Sequence, residues 1–112
     1  MKVAIPVQGS DLDAPVNLRF GRCQSFLFVD TASDHTEVQP NPAIDNLKDA
    51  GLQAARFVLE NDVQAVIVVM IGQEAQLALQ AANVTVYELK PESGRQALEY
   101  LRSNRLQALT SP

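Results

Sequence analysis

The chain has 112 residues, of which 46% are hydrophobic and 20% charged, with a formal net charge of −4 and a single cysteine, Cys23. This length suits one domain, with a core about 2–104 inside 1–112, that folds without a structural metal, and one cysteine allows no intrachain disulfide. An acidic chain without a Lys/Arg stripe is no general nucleic-acid binder, and the apolar N-terminal stretch, short and broken by Pro6, is neither a signal peptide nor a membrane span; the cytoplasm is the expected location.

Residues 2–7 read as a β-strand, followed by the turn formers Gly9, Ser10 and Asp11. From there to Cys23 no period is sustained, yet Leu12, Val16, Leu18 and Phe20 make the loop apolar enough to pack down. A loop this long inside a small domain is usually functional or disordered, and its apolar content favours function. Ser25 to Asp30 is rich in aromatic and β-branched residues and reads as a second strand, with a turn at Ser33-Asp34 and a hairpin partner from His35 to Gln39. Pro40-Asn41-Pro42 stops the sheet and opens a second irregular stretch, to about Lys48.

The rest alternates. Leu52, Ala55, Val58 and Leu59 share one face of a helix over 51–61. Val63 to Ile71 is almost continuously apolar, the pattern of a parallel strand covered on both faces. Ala75, Ala78, Leu79 and Ala82 mark a second helix from Gln73, Val84 to Tyr87 a last strand, and Ser93 with Gln96 the start of a third helix. The tail beyond Asn104 is expected to fray. The order β-β-β-α-β-α-β-α implies an α/β fold with helices on both sides of a five-stranded mixed sheet, one strand antiparallel. Ligands of such sheets bind beyond the carboxyl ends of the parallel strands, where the loop 8–23 and the turn Ile71-Gly72-Gln73 are expected to meet.

Several enzyme classes lack their residues. Neither G-x-x-x-x-G-K-[ST] nor G-x-G-x-x-G occurs, and residues 3–7 and 65–70 contain no carboxylate for two-metal phosphoryl chemistry. His35, the only histidine, lies at the far end of its strand from Cys23, which leaves no activated nucleophile. The chain therefore reads as a non-catalytic binding module.

Arg19-Phe20-Gly21-Arg22-Cys23 is the informative segment. Two guanidiniums flanking a thiol favour the thiolate, a soft metal ligand, and Gly21 allows close backbone approach. The alternative is a small buried cysteine and two solvated arginines, and a lone cysteine is more often packing than ligand. Gly72 stands at a helix start, where free N–H groups attract anions, or else simply makes the turn.

Taken in order, residues 3–7, Leu12-Asp13-Ala14-Pro15-Val16, Phe20-Gly21-Arg22-Cys23 with Phe26, Asn41-Pro42-Ala43, Gly51, and Val66-Ile67 leading to Ile71-Gly72 resemble the dinitrogenase iron–molybdenum cofactor biosynthesis family, found in stand-alone proteins, NifX-type carriers and the C-terminal domain of NifB-type proteins. The resemblance runs from about Lys2 to Asn104. It implies a three-layer, ribonuclease-H-like α/β/α fold without nuclease activity. It also implies the binding of an iron–sulfur or molybdenum-containing cluster, or its precursor, received from donor and passed to acceptor proteins. On that reading Arg19, Phe20, Gly21, Arg22, Cys23 and Gly72 form the site, with Cys23 as the metal ligand; the alternative is a cluster-free protein-interaction or small-anion-sensing domain. Two positions depart from the family pattern: Arg19 stands where a histidine is usual, and Val69-Met70-Ile71-Gly72 where Gly-Gly-x-Gly is usual.

Overall fold

A computed structural model of the chain describes residues 1–46 and 48–109. Six strands form one sheet: β1 (Lys2–Val7), β2 (Ser25–Asp30), β3 (Thr36–Pro40), β4 (Ala65–Val68), β5 (Thr85–Glu88) and β6 (Gln107–Ala108), in the order β3-β2-β1-β4-β5-β6. Helices α1 (Ala50–Glu60), α2 (Gln73–Ala81) and α3 (Gly94–Arg102) complete the fold, and a 3-10 turn at Phe20–Arg22 interrupts the long loop after β1. β1, β4 and β5 are mutually parallel, and β2 runs antiparallel to β1, as the hairpin and the later β-α-β alternation lead one to expect.

The layers follow from side-chain alternation along the strands. Ala4, Phe26, Phe28, Val66, Val68 and Val86 face Ala54, Ala55 and Val58 of α1 and Ala75 and Leu79 of α2. Val3, Ile5, Leu27, Val29, Ala65 and Ile67 face Ala97 and Leu98 of α3. All four residues of β4 are fully buried, so the continuous apolar run is the consequence of cover on both faces. Each helix ends just before an Asp or Asn in the left-handed region (Asp62, Asn83 and Asn104, φ 55°, 63° and 58°), residue types that tolerate this conformation because a short polar side chain can bond locally. Ser93 Oγ accepts the N–H of Gln96 at 3.2 Å, the expected cap of α3.

Two expectations are corrected. The sheet has six strands rather than five, and two of them, β2 and β6, run against the rest. The sixth comes from the tail: Gln107 and Ala108 pair with Glu88 and Tyr87, and Leu109 N–H donates to Val86 O at 2.8 Å, so this part of the tail is tied down. The expected fraying of residues 110–112 lies outside the described residues. The apolar run, in turn, stops being strand at Val68, because Met70 O accepts the N–H of Phe20 at 3.0 Å and the long loop crosses there. Met70 is 54% exposed.

Candidate functional site

The loop after β1 is fastened in two halves. Its first half lies on the start of α3, where Gly94 N–H donates to Ala14 O and Arg95 N–H to Leu12 O, at 3.0 and 2.7 Å. Its second half, from Asn17, turns across the carboxyl end of β4: Asn17 Nδ2 holds Arg19 O at 2.6 Å, Arg19 bridges Met70, and the 3-10 turn packs on the start of α1. Gly21 makes that packing possible, since a Cβ there would lie 2.6 Å from Gly51 N and 2.8 Å from the Ala50 carbonyl carbon.

The result is a cleft of about 620 Å³ beyond the ends of β4 and β5, bordered by Arg19–Arg22 on one side and Met70–Gly72 on another. The two segments expected to meet do meet there. The cleft also takes in Lys48, the first residues of α1 (Ala50 and Gly51), Glu88 at the end of β5, and Leu109 after β6. Reading the sequence missed these. Lys48 carried no local signal, Glu88 lies just past the expected end of its strand, and Leu109 reaches the cleft only through the pairing of β6.

The electrostatics of the cleft are lopsided. Arg19, Arg22 and Lys48 face a single lining carboxylate, Glu88, among the described residues. Among the described residues neither Arg19 nor Lys48 has an ion-pair partner; Arg22 Nη1 donates to Asn46 O at 2.6 Å. The starts of α1 and α2 both border the cleft, and neither has a side-chain cap. The first N–H groups of a helix have no partner within it and carry the positive end of its dipole, so both starts add to the field of the three cations, against the carboxylates of Asp49 at the start of α1 and Glu74 in the first turn of α2. α3 differs: Ser93 caps it and loop carbonyls cover its first N–H groups. At Gly72 the backbone is ordinary extended (φ −71°), and a Cβ would meet nothing within 4 Å. Neither backbone conformation nor crowding demands a glycine there.

Of the expected site residues, Arg19, Phe20, Gly21, Arg22 and Gly72 border the cleft, and Cys23 does not. Cys23 is fully buried in the core with Phe20, Phe26 and Phe28. Burial pushes its thiol up from 9.0 to about 12, against smaller downward effects of hydrogen bonds from its own backbone and Asn41. Both flanking arginines are exposed and neither is among the groups acting on the thiol, whose burial favours the protonated form in the free chain. Nor do the described residues include any group of three or more His, Cys, Asp or Glu side chains able to hold a metal ion. What the described lining of the cleft presents is cations and helix N–H groups.

The comparisons agree with this fold. The solved apo form of the orange protein from Desulfovibrio gigas superposes with a TM-score of 0.94 at 28% identity, over 99% of this chain and 94% of that one. A NifB-like protein from Thermotoga gives 0.86 at 32% identity, over 99% and 95%. A protein of unknown role from Methanocaldococcus jannaschii is 24% identical over 110 residues, 96% of this chain and 90% of its own length. The family described as dinitrogenase iron–molybdenum cofactor matches residues 1–104, and the chain belongs to it.

Proposed function

We propose that this chain is a single-domain, cytoplasmic, non-catalytic carrier that holds an anionic iron–sulfur or molybdenum-containing cluster, or its precursor, as cargo between donor and acceptor proteins. The observation that carries the reading is the lopsided cleft, where Arg19, Arg22, Lys48 and the uncapped starts of α1 and α2 face one carboxylate. In this arrangement the cations and N–H groups bind by charge and hydrogen bonding. Phe20 and Gly21 shape the wall beside them, and Gly72 leaves room for close approach. Cys23 packs the core beneath and supplies no ligand. A strand order beginning β3-β2-β1-β4-β5 with β2 reversed supports the ribonuclease-H-like assignment, and β1 and β4 lack the carboxylates that nuclease chemistry requires.

Anaerobic reconstitution with iron, sulfide and molybdate, followed by metal analysis and visible absorption, tests the reading. Uptake that survives Cys23→Ser and is lost when Arg19 and Lys48 are both replaced by Ala supports it. A chain that takes up no cluster but binds a simple oxyanion in the same cleft supports the second reading, a small-anion sensor. Arg19 in place of the family's usual histidine fits that second reading as well, since a guanidinium binds a simple oxyanion.

A further inference from the structure

Asn41 is one of two buried polar residues among those described, 2% exposed, and it does not border the cleft. Its Nδ2 donates to Gly21 O at 3.1 Å and to Cys23 O at 3.0 Å, the carbonyls on either side of Arg22. Its Oδ1 accepts the N–H of Ala43 at 3.0 Å, and its own N–H donates to Gln24 O at 3.1 Å. One side chain thus fixes two peptide groups of the arginine turn and starts the segment that carries Lys48 into α1. Asn46 O, the acceptor of Arg22 Nη1, belongs to that same segment.

We infer that Asn41 is a positioning residue for the cleft, holding the arginine turn and the Lys48–α1 side in one fixed relation so that their charges converge without further ordering. The inference rests on the proposed carrier function. An amide meets the geometric need because its donors go to the carbonyls of two buried residues, while its oxygen serves a neighbouring N–H. An aspartate keeps the oxygen bonded to Ala43 but puts an acceptor against both carbonyls. A serine keeps at most one donor. Preorganised charge binds better because less ordering remains to be done on binding.

The test compares Asn41→Asp and the milder Asn41→Ser with Val29→Ala, a destabilising core substitution on the opposite face of the sheet that leaves the arginine turn untouched. Hydrogen exchange of the Phe20 and Arg22 amides is followed in the cargo-free chain, and visible absorption follows binding of tetrathiomolybdate as probe anion. Both Asn41 variants are expected to speed exchange of these amides at least about tenfold while α3 stays protected, and to weaken probe binding about tenfold, the equivalent of about 1.4 kcal/mol. Val29→Ala is expected to change neither. Unchanged exchange in the turn, or equal weakening by Val29→Ala, overturns the inference. If the wild type fails to bind the probe, the carrier reading loses support, and the exchange comparison alone decides whether Asn41 positions the turn.

Discussion

Gly21 and Gly51 meet backbone to backbone: a Cβ on Gly21 would stand 2.6 Å from Gly51 N and 2.7 Å from Gly51 Cα. The arginine turn can lie on the start of α1 only because Gly21 has no side chain. Gly21→Ala is therefore expected to destabilise the fold by about 1–3 kcal/mol, since the neighbours that would have to give way are backbone atoms. Urea unfolding with an unchanged m-value checks this, and a loss below about 0.5 kcal/mol would mean that the turn is free to lift.

Gly72→Ala separates binding from folding. No atom lies within 4 Å of the added Cβ, and φ is −71°, so the expected loss of stability is about 1 kcal/mol or less, the usual preference for Gly over Ala at a helix start. Cargo uptake is expected to fall, because the methyl group would occupy the space at the first N–H groups of α2. Undiminished uptake would place the cargo elsewhere in the cleft.

Cys23 makes stability depend on pH at the alkaline end. Its folded thiol lies near 12, against an ordinary 9.0, so folding favours the protonated form. This contribution is complete below pH 9 and is lost as pH rises from about 9 towards 12, at up to about 1.4 kcal/mol per pH unit. Urea titrations at pH 8, 9.5 and 10.5 are expected to show falling stability in the wild type and a flatter profile in Cys23→Ala. A thiol reagent at pH 8 is expected to modify the native chain slowly and the urea-unfolded chain quickly. Rapid native labelling would reopen a thiolate role for this residue.

Much of the fold could be read from local pattern, because the signals involved are local. The run Ala65 to Val68 is apolar since both its faces are covered, Ser93 and Gln96 have capping spacing, and the α1 and α2 stripes follow a helical period. β6 could not be read, since Gln107-Ala108 is too short to show a period and exists by pairing with β5. The site divided in the same way. Arg19, Arg22 and Gly72 stood out as charge and turn chemistry, whereas Lys48, Glu88 and Leu109 arrive at the cleft by tertiary contact alone. Cys23 was ambiguous for a physical reason: a thiolate ligand and a small core residue look alike until burial is known, and burial favours the protonated thiol in the free chain.

Arg19 tests whether charge holds the cargo. Its guanidinium borders the cleft and is exposed, with no ion pair to any described residue, so Arg19→Ala is expected to leave stability nearly unchanged. Removing an exposed cation removes a screened attraction. Affinity for an anionic cargo should then fall about threefold in low salt and converge with the wild type above about 0.5 M salt. Arg19→His is more informative, because its charge can be switched. At pH 8 the imidazole is neutral and should bind as weakly as the alanine variant; below about pH 6.5 it gains a proton and should recover towards the wild type. Titrating cargo into all three chains at pH 8 and pH 5.5, in low and high salt, resolves the question. Stronger binding by Arg19→His at pH 8 would mean that a neutral imidazole serves the cargo better than a guanidinium, and that ligation, not charge, governs this position.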